Sequence, residues 1–153
     1  RTSSNGINAT VKKTALKWVG DSKGWAAAKK ISKKFGNIKY EKNSSKVVGF
    51  TRSPKNVLSS GMGNCCSPTR AMLVMMDAAG CMEDIDMYYV HVCCGSYNGR
   101  SVGHVFAKLV HKKTKKWVYV DPCKSSPWGH YVHGWGNPPG TQTKYTGPNN
   151  TPF

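Results

Sequence analysis

Gly63-Asn64-Cys65-Cys66-Ser67-Pro68-Thr69-Arg70-Ala71-Met72-Leu73-Val74-Met75-Met76-Asp77-Ala78-Ala79-Gly80 sets a thiol directly ahead of a long apolar run. Thr69, Ala71, Met72, Leu73, Met75 and Met76 are too continuous for an amphipathic surface helix, so the run predicts a helix buried on most sides. Pro68 suits a first turn, where its missing N–H costs little. Gly80 is a natural C-terminal stop. A cysteine at a helix start lies among free N–H groups at the positive end of the helix dipole, and both favour thiolate. The same N–H groups can receive the oxyanion of a tetrahedral intermediate. A lone cysteine there would more simply be a buried structural residue. The chemical reading rests on the histidine and aspartate downstream of it.

Upstream, residues 1–8 read as a loose polar lead-in. Val11, Ala15, Trp18 and Val19 predict a first helix ending near Gly20. Trp25, Ala28, Ile31 and Phe35 predict a second, capped by Asp21 or Ser22 and stopped by Gly36. Residues 37–52 show no period and read as irregular. Ser53 caps a short helix from Pro54 to Leu58, and Ser59 to Asn64 is a glycine-bearing approach that opens the backbone around Cys65.

Downstream, Met87–Cys93, Gly103–Val110 and Trp117–Asp121 are dense in β-formers and predict an antiparallel meander with the buried helix on one face. Ser96–Arg100 and Lys112–Lys115 are the turns between them. The tail from Pro122 to Phe153 reads as surface loops, with one short strand near Tyr131-Val132. The predicted class is α+β, with N-terminal helices and a Cys-bearing helix on an antiparallel sheet.

In such a meander His104 opens the second strand and Asp121 closes the third, at one end of the sheet. Both can then face the start of the helix behind Cys65. Nucleophile, base and orienter in that order are what covalent acyl chemistry needs. His91, His111, His130 and His133 compete with His104, and Asp121 before Pro122 could simply initiate a turn. Joint placement favours Cys65, His104 and Asp121.

The remaining signals bound the class. At 153 residues the chain is long enough for one domain with its own core. A formal charge of +16, from 23 Lys and Arg against 7 Asp and Glu, predicts attraction to nucleic acid, an anionic membrane surface or an anionic wall. Equally, the lysine doublets could be a solvated coat. No apolar run approaches the roughly 20 residues of a membrane span. Six cysteines without a C-x-x-C pair argue against zinc and against a disulfide framework, and fit a reduced state. Glu83-Asp84-Ile85-Asp86, the one acidic cluster, lacks the loop pattern of a calcium site.

Gly63-Asn64-Cys65 with Thr69, Ala71 and Ala79-Gly80 resembles the Cys motif of transglutaminase-like cysteine proteins. Tyr89–Val92 with Gly103–Leu109 resembles their His motif, and Trp117–Asp121 their Asp motif. Ile38-Lys39-Tyr40, the lysine coat and the abrupt start on Arg1 are most similar to one branch, the pseudomurein endoisopeptidases of methanogenic archaea and their viruses. The resemblance spans roughly residues 25 to 125 and implies a papain-like fold. It implies hydrolysis of the isopeptide bond between alanine and the ε-amine of lysine in pseudomurein cross-links, through a thioester on Cys65.

The resemblance also implies a soluble monomer that acts on the anionic cell wall, extracellularly or after lysis, and not on nucleic acid. Residues 1–153 would then be a single catalytic domain, the C-terminal part of a longer protein with wall-binding repeats. No cofactor is needed for the chemistry and no metal ligand is assigned, although the branch implies a divalent cation such as calcium. Two departures stand out. The residue after Cys65 is a second cysteine, and Ser67-Pro68 replaces residues that are usually polar or acidic. Cys66 therefore stays open as the alternative nucleophile. The backbone N–H of Cys65 or Cys66 is one oxyanion donor, and Tyr40 is a candidate for the second by resemblance. The aromatic tail, with Trp128, Tyr131, Trp135 and Tyr145, is a candidate peptide groove. Two rivals remain: transglutaminase-type acyl transfer on the same fold, and a non-enzymatic basic wall-binding module.

Overall fold

The computed structural model describes residues 7–40, 53–97, 100–130 and 140–149, and the side chains of 40, 93–97 and 100–102 lie outside that description. Helix α1 (Ala9–Val19) starts where the Asn8 side chain accepts the Val11 N–H at 2.9 Å, and it buries Val11, Ala15 and Val19. It ends at Gly20, as the pattern predicts. Helix α2 (Gly24–Lys34) is capped differently from expectation. Lys23 occupies the cap position and makes no side-chain bond, so neither Asp21 nor Ser22 caps it. The entry is made instead by Gly24, whose φ of +53° and close approach to Asp84 (2.7 Å from a would-be Cβ to Oδ2) exclude a side chain. At the other end the helix tightens into a 3-10 turn at Phe35–Asn37, so Gly36 lies inside that turn rather than stopping α2.

Strand β1 (Lys39–Tyr40) follows, within a stretch expected to be irregular. Helix α3 (Pro54–Ser60) begins with the predicted cap, Ser53 Oγ accepting the Asn56 N–H at 3.2 Å. Strand β2 (Met62–Gly63) then pairs in parallel with β1, Tyr40 opposite Gly63. This pair is absent from the sequence pattern because two residues carry no periodicity. It leads directly into helix α4 (Cys66–Ala78), in which every residue from Ser67 to Met76 is buried. Gly80, at φ +84°, ends it as expected.

Four strands form one antiparallel sheet: β3 (Ile85–Tyr97), β4 (Arg100–His111), β5 (Trp117–Val120) and β6 (Thr141–Lys144), in the order β5-β4-β3-β6. Three strands of this meander were expected. The fourth corrects the reading of the tail as loops: β6 pairs with β3, Thr141 opposite His91 and Lys144 opposite Tyr88. Its polar residues, Thr-Gln-Thr-Lys, give no apolar alternation, because they lie at the sheet's rim. The strand expected near Tyr131-Val132 lies outside the described residues. β4 also starts at Arg100, so His104 sits within the strand rather than opening it. A register shift between Val92 and Gly95 on β3 sets two residues against Gly103, directly before His104.

The main core lies between α4 and one sheet face. Met72, Leu73, Met75 and Met76 pack there with Val105, Ala107, Leu109, Met87 and Tyr89, and α1 and α2 add Val11, Ala15, Ala28 and Ile31. Burial of each such side chain is worth about 1.5–3 kcal/mol relative to exposure. A smaller cluster of Val90, Val92 and Phe106, covered by Tyr119, occupies the other face. Beyond β5 the chain returns along its outer edge. Asp121 N–H donates to Pro127 C=O at 3.0 Å, Gly129 N–H to Tyr119 C=O at 2.8 Å, and Val120 forms a bridge with Trp128. Arg70 on α4 donates to the Pro148 carbonyl at 2.8 Å, which ties the tail to the helix.

Candidate active site

Cys65 sits at the cap position of α4 with helical backbone angles, φ −64° and ψ −34°. Two features hold it there. Asn64 Oδ1 accepts the Ser67 N–H at 3.0 Å, so the residue before the cysteine satisfies the first turn. Gly63 lets the approach strand press onto that turn: a Cβ there would lie 2.9 Å from Pro68 Cδ and 3.2 Å from Ser67 Cβ. Neither role is visible in a reading that treats 59–64 only as a loose glycine-bearing approach. A third contact joins helix to sheet. The Thr69 hydroxyl lies 2.7 Å from the Cys65 carbonyl and 3.2 Å from that of Val105, the residue after His104. Thr69 stands one turn after Cys65, and its hydroxyl within an apolar run is the signal that could have revealed this clamp.

His104 and Asp121 meet despite the longer β4. Their Nε2 and Oδ2 atoms are 2.7 Å apart, with His104 2 % and Asp121 0 % exposed. The His104 ring stacks on Phe106 with centroids 5.7 Å apart, which limits its rotation. Asp121 Oδ1 accepts the Cys123 N–H at 2.9 Å, so the carboxylate is held at both oxygens. With Nε2 engaged by Asp121, Nδ1 is the ring nitrogen left for a thiol, and the Cys65 side chain is among the groups that raise the His104 ring. Of the three residues singled out from the sequence, His104 and Asp121 are in direct contact, and Cys65 interacts electrostatically with the His104 ring.

The electrostatics follow from these contacts. A hydrogen bond from the Cys66 thiol, 4.0 Å away sulfur to sulfur, holds the Cys65 thiol well below the ordinary value. Burial opposes this, and the His104 bond and charge reinforce it. Cys66 moves oppositely: the bond to Cys65, then burial, push it up, so it stays a neutral donor. Burial disfavours the His104 imidazolium, but Asp121 and Cys65 outweigh it and raise the ring to about 9. Both shifts favour a thiolate–imidazolium pair, with Cys65 the anionic member.

Other expectations fare differently. The backbone of Tyr40 lies in β1 opposite Gly63, two residues before Cys65, but its side chain lies outside the described residues. Tyr145 does not line a groove. It is fully buried, stands near Tyr89, and donates its hydroxyl to Asp77 Oδ2 at 2.9 Å at the far end of α4. Trp128 packs edge-on against Trp25, and Tyr131 and Trp135 lie outside the described residues.

Among the described residues Glu83, Asp84 and Asp86 do not converge on a common point, and Asp86 lies 3.4 Å from the Lys144 ammonium. One group of three does converge: single ligand atoms of His104, Asp121 and Cys123 lie within 4.8 Å of one another. Its nitrogen and sulfur donors are wrong for a hard cation that takes oxygen ligands. The imidazole–carboxylate bond already engages two of the three.

No family model matches the chain, and no curated protein matches it. Similarity is found among solved structures. A candidate cysteine protease of Cytophaga hutchinsonii superposes over 95 % of this chain with a TM-score of 0.56 at 12 % identity. The fold is papain-like. The chain spans about half, 51 %, of that protein's length. Two structures of Legionella pneumophila LapG, one EGTA-treated, align over 76 % of the chain and 70 and 71 % of their own, each at 14 % identity. Their TM-scores of 0.48 and 0.49 are too low to bear on the fold.

Proposed function

We propose that this chain is a cysteine peptidase of the transglutaminase-like superfamily that hydrolyses an isopeptide bond, alanine to the ε-amine of lysine, in pseudomurein cross-links. The observation that carries the reading is the buried His104–Asp121 pair, which interacts electrostatically with a thiol at a helix start. Cys65 Sγ attacks the carbonyl carbon. The oxyanion forms at the start of α4, where the choice of donors is narrow. Ser67 N–H is engaged by Asn64, Pro68 has none, and Thr69 N–H is on the Cys65 carbonyl at 3.3 Å. The N–H groups of Cys65 and Cys66 are the natural donors. His104 protonates the departing lysine amine, leaving a thioester on Cys65. It then takes a proton from the attacking water, and Asp121 supports each imidazolium. Calcium enters no step. The charge of +16 draws the enzyme to an anionic wall, where it acts extracellularly or after lysis, as a monomer.

The test is incubation of the full chain with purified pseudomurein wall and mass spectrometry of the released peptides. New alanine carboxyl ends and free lysine ε-amines are expected. Cys65→Ala should abolish release, and Cys66→Ala should leave a substantial part. A competing amine captured in place of water would reassign the reaction as acyl transfer. Full release by Cys65→Ala would sink the assignment, and wall binding without any release would favour the non-enzymatic module.

A further inference from the structure

The mechanism makes no use of the Cys66 sulfur as a nucleophile, yet it lies 4.0 Å from the Cys65 sulfur, and both residues are partly exposed at the start of α4. We propose that Cys66 is a resolving thiol, which captures oxidised Cys65 as a vicinal disulfide and so shields the reactive sulfur from irreversible oxidation. The inference rests on Cys65 being the reactive sulfur, and not on which amide is cleaved. A peroxide is the oxidant. Cys65 sulfur attacks one peroxide oxygen, the O–O bond breaks, and the other oxygen leaves as hydroxide, giving a sulfenic acid. Cys66 sulfur then attacks Cys65 sulfur. The S–O bond breaks, hydroxide leaves and takes the Cys66 proton as water, and the new S–S bond retains the oxidation.

Geometry favours this partner and makes the product temporary. Closing from 4.0 Å to a bond of about 2.05 Å needs a movement of about 2 Å, which side-chain rotation supplies only together with a distortion of the intervening peptide. Adjacent Cα atoms stand about 3.8 Å apart, below the roughly 4.4–6.8 Å usual for disulfides. The bond would therefore be strained, and strained disulfides are easily reduced. Its formation would also distort the first turn of α4, so the oxidised protein is switched off as well as protected. Cys123 is the competing thiol, but its peptide N–H is fixed on Asp121.

The experiment treats the full chain with a small excess of hydrogen peroxide and then with a thiol reductant. Peptide mapping should find a Cys65–Cys66 disulfide, and reduction should restore alkylation of Cys65. In Cys66→Ser and Cys66→Ala, Cys65 should pass on to sulfinic acid, and recoverable thiol should fall by about tenfold. Cys123→Ser should still form the disulfide. A Cys65–Cys123 bond, or full recovery in both Cys66 variants, would overturn the proposal. Mapping needs no substrate. A disulfide in a chain that releases no peptide sinks only the proposed function, and peptide release without a disulfide sinks only this inference.

Discussion

The two ends of α4 carry the same kind of assembly with opposite chemistry. At its start a ring from the sheet, His104, joins a carboxylate, Asp121, and a helix side chain, Cys65. At its finish a ring after β6, Tyr145, bonds a carboxylate on the helix itself, Asp77. Burial raises the Asp77 carboxyl, with the Tyr145 bond pulling partly back, and burial pushes the Tyr145 phenol up, so it remains neutral. The helix dipole agrees with both outcomes, since its positive end supports a thiolate and its negative end disfavours a carboxylate. An imidazole can carry a proton between partners at neutral pH, and a phenol this strongly shifted cannot. One end is built for charge separation and the other for a fixed hydrogen bond from a neutral phenol.

The largest expected effect breaks the comparison at its charged end. Asp121→Asn should lower kcat/KM by about 10³–10⁴-fold, as a wrong-tautomer substitution does in a triad. Asp77→Asn should leave kcat/KM within about threefold, since it touches neither Cys65 nor His104. Circular dichroism confirms that both are folded. Equal losses from the two variants would show that Asp121 is a structural carboxylate like Asp77.

The pH profile sharpens the comparison. A folded His104 value of about 9 exceeds the unfolded value of about 6.5, so the stability it contributes is complete below about 6.5 and lost as pH rises through about 9. Cys65 is lowered, so its contribution is present above the unfolded thiol value and lost as pH falls through the folded one. The ion pair is therefore populated between the lowered Cys65 value and about 9. A plot of kcat/KM against pH should show a basic limb near 9, moved by Asp121→Asn and not by Asp77→Asn. A basic limb near the ordinary imidazole value would contradict the ion pair.

The smallest effect tests that hydrogen bond alone. Tyr145→Phe removes one hydrogen bond and should cost about 1 kcal/mol in urea denaturation, with no change in the pH profile. A shifted profile would mean that the two ends of α4 are coupled.

How far these features could be read beforehand depended on periodicity. The apolar run of α4, the stripe of α2 and the β-rich segments of β3, β4 and β5 announce themselves, because burial imposes a repeat on the sequence. Cys65 at a helix start and Asp121 after a strand end were legible as positions, because each sits at a recognisable place relative to an element. β6 was not, since a polar strand at the rim shows no alternation. The Asn64 cap, the Thr69 clamp and the Tyr145–Asp77 bond were hidden for another reason. Each is a single contact fixed by tertiary geometry, and Tyr145 lies 68 positions from its partner.

The return of the chain along β5 has a consequence for self-association. An edge strand offers a row of open donors and acceptors to any extended chain that passes, and this is how sheets recruit copies of themselves into aggregates. Here the Tyr119 carbonyl and the Asp121 N–H already face Gly129 and Pro127. The segment 127–129 acts as a built-in guard, so neither a second molecule nor a peptide can extend the sheet beside Asp121. An extended segment must therefore reach Cys65 from another side of the molecule, and this edge of the sheet stays closed to neighbouring copies.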